Sequence, residues 1–132
     1  MSNATAVWTG RAMSWALALF LAFSAIIKLM NRPEVAETLG PLGWPAEAGM
    51  PIGLLEATVL VLYLVPRTAV LGAILLTGLL GGAMATHFRV GSPLFSHSLF
   101  GLYLGLFAWG GLWLRDPKLR SLMPWRRDTG EA

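Results

Sequence analysis

Five side chains capable of acid–base or electrostatic chemistry lie within or beside long apolar runs of this 132-residue sequence. Lys28 and Glu56 each interrupt a hydrophobic run, and His87 and Arg89 end the stretch LLGGAMATHFRVG, with His97 soon after. A carboxylate in hydrocarbon costs about 2–3 kcal/mol or more, so Glu56 needs a basic partner, a proton or a wet pocket. An imidazole can exchange protons near neutral pH or hydrogen-bond a carbonyl group. Glu56 and His87 are therefore the candidate catalytic residues.

The composition indicates that lipid surrounds these residues. Hydrophobic residues make up 55% of the sequence and charged residues 13%, whereas soluble domains carry about 25% charged residues. The sequence has no cysteine, which excludes disulfides and thiolate metal sites within the chain. The net charge of +3 comes largely from a basic tail beside a hydrophobic segment, which favours anionic lipid headgroups over nucleic acid as the partner.

Four apolar runs have about the length that an α-helix needs to cross a bilayer. They predict one domain, 1–132, with an all-α fold: an integral membrane four-helix transmembrane bundle with spans at about 12–30, 50–65, 68–88 and 96–114 and a basic tail, 115–132. The first run exceeds the usual signal-peptide core and is interpreted as an anchor. The tight Pro66-Arg67 turn predicts that the second and third spans are antiparallel neighbours.

The distribution of basic residues predicts the orientation of these spans. Most arginines and lysines fall on the side of the two termini, so the positive-inside rule places both termini in the cytoplasm. The connection 31–49, which carries three glutamates and a tryptophan, is predicted to form a short amphipathic segment on the outer surface.

This threading assigns a depth to each polar residue. Lys28, Glu56, His87, Arg89 and His97 all converge on the outer half of the predicted bundle. Ser24 lies one turn below Lys28, and the expected partners of Glu56 are Lys28, His87 and Arg89. Tyr63 shares a helix face with Glu56, and Thr86 lies one turn beyond Gly82. The predicted ligand-binding residues are Lys28, Glu56, Tyr63, Thr86, His87 and Arg89.

Each of these residues also has a purely structural interpretation. Glu56 could be an interhelical staple, Lys28 could extend its ammonium group to the headgroups, and Arg89 could be an interfacial anchor. His87 and His97 could be hydrogen-bonded structural residues. Haem ligation by the two histidines is disfavoured, because the bundle offers little cavity or outer-shell support. A metal site formed by His87, His97 and Glu56 is a further alternative, but no metal site is predicted.

Small residues are expected to mediate helix packing, since helices in lipid gain little from hydrophobic burial against one another. Gly78 and Gly82 form a GxxxG pair on the third span, and Gly101 and Gly105 form another on the fourth. Gly81 and Ala85 extend a second small stripe. The alternatives are no special role or a ligand lying against the glycines.

Three segments of the sequence together resemble the DoxX-like family of small bacterial membrane proteins. They are FLAFSAIIKLMNRPEVAETLGPLGWP, LLEATVLVLYLVPRTAVLGAILLTGLLGGAMATHFRVGSP and WLRDPKLRSLMP, and the likeness extends over about 12–124. The resemblance implies a four-helix integral membrane bundle, and the family's broader relatives include a subunit similar to that of thiosulfate:quinone oxidoreductase. The positions that match the family pattern are Lys28, Glu56, Arg67, Thr86, His87 and Arg89.

The leading hypothesis is a multi-pass protein of the bacterial inner membrane with a polar pocket in the outer half of the bundle. The pocket would bind a lipophilic or quinone-like molecule, and the chain would be an accessory part of a membrane redox system with a quinone as candidate cofactor. The expected partners are membrane lipids and a redox subunit or a second copy of the chain. The alternatives are a non-catalytic scaffold or interaction protein and a small stand-alone enzyme, an isomerase or hydrolase.

Overall fold

Six α-helices form the part of the chain that the computed structural model describes, residues 3–127. They are α1 (Asn3–Leu29), α2 (Pro33–Leu39), α3 (Gly49–Leu64), α4 (Ala69–Arg89), α5 (Phe100–Arg115) and α6 (Pro117–Leu122). Short 3₁₀ turns at Gly40–Leu42, Ala46–Ala48 and Pro66–Thr68 and a π-turn at Leu94–Ser98 join them. No strand occurs within these residues, so the all-α prediction is confirmed.

The four longest helices pack side by side. The helix α1 contacts α3 and α5, and α4 contacts the same two helices from the opposite side. Small and aliphatic side chains fill the space between them, and Tyr63 is the largest fully buried side chain. The core includes Leu17, Leu21, Val59, Tyr63, Ala73, Leu76, Ala108 and Leu112.

The outer surface of these helices is as apolar as their core. Large hydrophobic side chains such as Phe23, Leu54 and Leu106 are 60% exposed or more, a pattern that a water-soluble monomer avoids. Three helical segments are long and apolar enough to cross a membrane: Asn3–Leu29, Ala46–Leu64 and Pro66–Arg89. These segments indicate a membrane protein.

The helix boundaries differ from the predicted spans at both ends of the chain. The first helix begins at Asn3 rather than at residue 12, because no proline interrupts the preceding residues, and its 27 residues extend for about 40 Å. The predicted fourth span, 96–114, is divided into the π-turn and α5, which has 16 residues. The predicted tail includes α6, and its residues 128–132 lie outside the described part.

The connection 31–49 contains helix α2, as expected of a short amphipathic segment. Val35 and Leu39 are its buried residues, and both lie close to Gly49 at the start of α3. The tight turn at Pro66–Thr68 brings α4 back along α3, as predicted.

The two predicted GxxxG pairs have different environments. A Cβ atom added at Gly101 would lie 2.8 Å from Met84 Cγ and 3.0 Å from the Leu80 carbonyl oxygen, so this glycine lies in a close α4–α5 contact. Around Gly78, Gly81 and Gly82, by contrast, nothing lies within 4 Å of such an atom. The expected packing through Gly78, Gly81 and Gly82 is therefore wrong within this chain, because that stripe faces outward.

The close α3–α4 contact depends instead on Gly72. A Cβ atom there would lie 2.7 Å from Tyr63 Cα and 2.8 Å from the Leu62 carbonyl carbon, and it would also meet the Tyr63 nitrogen. These are backbone atoms, which cannot move aside as the end of a flexible side chain can. Alanine at this position therefore separates the two helices.

We expect Gly72→Ala to lower the free energy of unfolding by about 1–3 kcal/mol, the usual cost of overpacking. Gly78→Ala on the outward stripe is the matched control and should leave stability unchanged or raise it by up to about 1 kcal/mol, because alanine favours helix. Unfolding of both variants by sodium dodecyl sulfate in mixed micelles measures the difference. Equal effects of the two substitutions would contradict the assigned helix faces.

Candidate functional site

An ion pair joins the candidate residues Lys28 and Glu56. The Lys28 Nζ atom lies 3.1 Å from Glu56 Oε1 and 3.4 Å from Glu56 Oε2, and it donates a hydrogen bond of 2.6 Å to Ser24 Oγ. The two charged side chains are only 20% and 11% exposed. The expected partnership of Glu56 with Lys28 and the expected position of Ser24 are both confirmed.

A glycine allows α1 and α3 to approach at this ion pair. A Cβ atom at Gly53, one turn before Glu56, would lie 2.7 Å from Lys28 Cβ and 3.2 Å from the Ala25 carbonyl oxygen. The absence of a side chain at residue 53 thus brings the carboxylate and ammonium groups into contact. In the sequence, this arrangement corresponds to Gly53 three residues before Glu56 in the segment GLLE. The sequence analysis did not identify Gly53 as part of the site.

His87 belongs to a different group of side chains. Its Nδ1 atom lies 3.0 Å from Ser92 Oγ, and its ring packs edge-on against the ring of His97 with centroids 5.7 Å apart. Within residues 3–127, no hydrogen bond or ion pair joins His87 to Lys28 or Glu56. The expected pairing of Glu56 with His87 is therefore not observed, because α4 places the imidazole beside the π-turn rather than beside α3.

Arg89 reaches the connection between α2 and α3. Its Nη2 atom donates a hydrogen bond of 3.2 Å to the Leu42 carbonyl oxygen, so Arg89 does not pair with Glu56. Gly43 follows with a positive φ of 87°, and a Cβ atom there would lie 2.6 Å from Arg89 Nη2. Glycine at residue 43 therefore serves both the turn and the approach of the guanidinium group.

A cleft of about 310 Å³ opens beside this guanidinium group, lined by Gly43, Trp44, Ala85, Thr86 and Arg89. Two predicted ligand-binding residues, Thr86 and Arg89, thus line the same cleft. The Thr86 hydroxyl donates a hydrogen bond of 2.8 Å to the Gly82 carbonyl oxygen. His87 and Arg89 are two residues apart on a helix and point to different sides of α4, so the imidazole is not part of this lining.

Tyr63 lies away from all of these groups, in a polar cluster between the C-terminal parts of α3 and α5 and the interior of α1. Its hydroxyl donates a hydrogen bond of 2.7 Å to the Ala108 carbonyl oxygen and lies 2.8 Å from Ser14 Oγ. Arg115 Nη2 donates to the same Ser14 Oγ over 2.8 Å. Sequence analysis did not identify Ser14 or Arg115 as partners of Tyr63, because contacts that join residues 49 and 101 positions apart leave no local pattern.

A family model described as the DoxX-like family matches residues 12–111. The chain belongs to the DoxX-like family. The match includes Lys28, Glu56, the cleft and His97 but ends before α6, so the resemblance of the C-terminal segment lies beyond it. Neither a curated protein nor a solved structure matches this DoxX-like chain significantly.

We expect Glu56→Gln to lower the free energy of unfolding by about 1–3 kcal/mol, because it leaves the Lys28 ammonium largely buried without its counter-charge. The matched control is Glu34→Gln, since Glu34 lies 3.8 Å from Arg32 with its side chain 68% exposed. That pair should contribute less than about 1 kcal/mol. Lys28→Met combined with Glu56→Leu should restore part of the loss, and a double variant as unstable as Glu56→Gln alone would contradict an ion-pair staple.

A second pair of variants tests the Tyr63 cluster. Tyr63→Phe removes a buried hydroxyl that contacts two other helices and should cost about 1–2 kcal/mol in a membrane protein. Tyr103→Phe is the control, because its hydroxyl donates an exposed hydrogen bond of 2.8 Å to the Phe95 carbonyl oxygen. Chemical unfolding in micelles should give Tyr63→Phe a clearly lower free energy of unfolding than Tyr103→Phe. The reverse order would be inconsistent with the described cluster.

Proposed function

We propose that this DoxX-like chain is a four-span protein of the bacterial inner membrane, with both termini in the cytoplasm, that binds a lipophilic quinone-like molecule. It acts as an accessory part of a membrane redox system. The observation that carries the proposal is the cleft beside Arg89, whose mixed polar and apolar lining includes a cation, a threonine and an indole.

The donors around the cleft suit a ligand that carries carbonyl groups. Arg89 uses Nη2 for the Leu42 carbonyl oxygen, and its remaining N–H groups can donate to a ligand oxygen. Trp44 is 44% exposed and offers a flat aromatic surface to a planar ring. A quinone combines two carbonyl acceptors, a planar ring and an apolar tail. The tail can lie along the exposed apolar surface of α4 and extend into the lipid.

The positions of Glu56 and His87 favour an accessory role over a stand-alone isomerase or hydrolase. Glu56 is paired with Lys28, and His87 points away from the side of α4 that lines the cleft. The guanidinium group of Arg89 can donate hydrogen bonds to a carbonyl oxygen but is a poor catalytic proton donor. Binding and orientation of the quinone then belong to this chain, and electron transfer belongs to a partner subunit.

A non-catalytic scaffold is the second candidate, and the Lys28–Glu56 ion pair favours it. The carboxylate, the ammonium and Ser24 satisfy one another without any ligand, as expected of a staple between two helices. Under this function the chain presents its outer surface to lipids or to a partner subunit, and the cleft stays without a specific ligand.

A quinone titration separates the two functions. We expect ubiquinone-1 to bind the purified chain in nanodiscs and to quench tryptophan fluorescence, with less quenching in Trp44→Phe. Arg89→Gln should weaken binding about ten-fold or more, because it removes a charge-assisted hydrogen bond.

The control is Arg32→Gln, which removes an exposed arginine outside the cleft and should leave the quinone affinity unchanged. Glu56→Gln should lower stability without a matching loss of affinity. Absence of ubiquinone-1 binding, or unchanged affinity in Arg89→Gln, would reject the quinone site and leave the scaffold function.

A further inference from the structure

The two histidines of the chain have no part in the cleft, yet the fold brings them together from different elements. His87 lies in the last turn of α4, and His97 lies in the π-turn that precedes α5. Their ring centroids are 5.7 Å apart at an interplanar angle of 63°. Ten residues of sequence separate them, so the contact depends on how the chain reverses after α4.

Two backbone features produce this reversal. Gly91 adopts a positive φ of 74°, and the Ser92 nitrogen donates a hydrogen bond of 3.0 Å to the His87 carbonyl oxygen, which ends α4 in a Schellman-type turn. The π-turn then follows Pro93, whose carbonyl oxygen accepts hydrogen bonds from the nitrogens of His97 and Ser98. These backbone hydrogen bonds define the chain reversal that brings residues 87 and 97 together.

Each imidazole has a serine hydroxyl at the same ring nitrogen. His87 Nδ1 lies 3.0 Å from Ser92 Oγ, and His97 Nδ1 lies 2.8 Å from Ser96 Oγ. When Nδ1–H donates to the serine oxygen, the lone pair of the imidazole resides on Nε2. This is how metal-binding histidines are commonly oriented, with one ring nitrogen hydrogen-bonded and the other on the metal.

We propose that His87 and His97 form a two-imidazole site for a divalent transition-metal ion of the Cu²⁺ or Zn²⁺ class. An imidazole nitrogen lies about 2.0–2.1 Å from such an ion, which places the centroids of two rings on one tetrahedral ion about 5 Å apart. The observed separation of 5.7 Å exceeds that tetrahedral value by less than 1 Å.

The ion keeps open coordination positions in this site. Within residues 3–127, no group of three His, Cys, Asp or Glu side chains is arranged to hold a metal, so the two imidazoles are its side-chain ligands of these types. Water or an external ligand completes the coordination. Such a site exchanges its ion readily, and imidazole favours Cu²⁺ over Zn²⁺ in the usual order of affinities.

The sequence makes a metal titration simple to interpret. His87 and His97 are the only histidines, and no cysteine is present, so imidazole and thiolate ligands from elsewhere in the chain cannot contribute. The full chain should be purified without a polyhistidine tag and titrated with Cu²⁺ alone and with Zn²⁺ alone. We expect one Cu²⁺ per chain, and the paramagnetic resonance spectrum should show coupling to two nitrogen atoms.

Variants of both ligands and of their serine partners complete the test. His87→Gln and His97→Gln should each weaken Cu²⁺ binding by at least about ten-fold, and the double variant should abolish it. Ser92→Ala and Ser96→Ala should each weaken binding by about ten-fold while keeping both imidazoles. The control is Ser121→Ala, because the Ser121 hydroxyl donates to the Lys118 carbonyl oxygen in α6 and lies outside the histidine pair. This variant should bind Cu²⁺ with the affinity of the wild-type chain.

Three outcomes would overturn the site. They are the absence of binding, unchanged affinity in the double histidine variant, and two equal Cu²⁺ ions per chain, each lost with one histidine. Circular dichroism of every variant verifies that the helices are retained. Quinone affinity is measured separately, so failure of the metal site and failure of the quinone cleft are distinguishable.

Discussion

A polar side chain among apolar helices has to find its partner inside the protein, and the described structure follows this constraint throughout. Every buried side-chain nitrogen or oxygen within residues 3–127 has a hydrogen-bond partner. Two of these contacts join different helices: Glu56 of α3 with Lys28 of α1, and Tyr63 of α3 with Ser14 of α1. The more exposed Trp109 of α5 likewise donates a hydrogen bond to Thr77 of α4. Because lipid offers no hydrogen bonds, these few contacts decide the relative positions of the helices.

Close backbone approach allows the polar contacts to form. Gly53 removes the Cβ atom that would hold α1 away from α3 at the ion pair, and Gly72 does the same between α3 and α4 beside Tyr63. Apolar association supplies little attraction between helices in lipid, so short interhelical distances and buried polar contacts have to occur together. The outward face of α4 around Gly78 and Gly82 has neither a close contact with another helix nor a buried polar contact.

The sequence predicts the bounds of α3 and α4 and the neighbours along one helix face, because run length and helical spacing determine them. Apolar run length gave the cores of α3 and α4 to within about one residue, and helical spacing placed Ser24 beneath Lys28. It also paired Lys28 with Glu56, because both are isolated charges at similar depth. It did not give the direction in which the glycines of α4 face, since a small-residue stripe carries no information about which neighbour it meets.

The grouping of the site residues was beyond sequence reasoning for a related reason. Depth along a helix follows from residue number, but the side of the helix that meets each neighbour depends on the packing of all four long helices. His87 and Arg89 have nearly equal depth, yet they point to opposite surroundings, the π-turn and the loop after α2. One predicted pocket thus separates into an ion pair, a cleft and a histidine pair.

This separation bears on how the protein could work. A site that combined Glu56, His87 and Arg89 in one cavity would offer groups for acid–base chemistry beside a cation. In the described arrangement the carboxylate is engaged by Lys28, and Arg89 faces the cleft without a titratable neighbour in its lining. The Arg89 guanidinium group and the Trp44 ring can orient a ligand that accepts hydrogen bonds, whereas the Thr86 hydroxyl already donates to the Gly82 carbonyl oxygen. Under the proposed function, a group outside the cleft lining therefore supplies any proton that the bound ligand takes up.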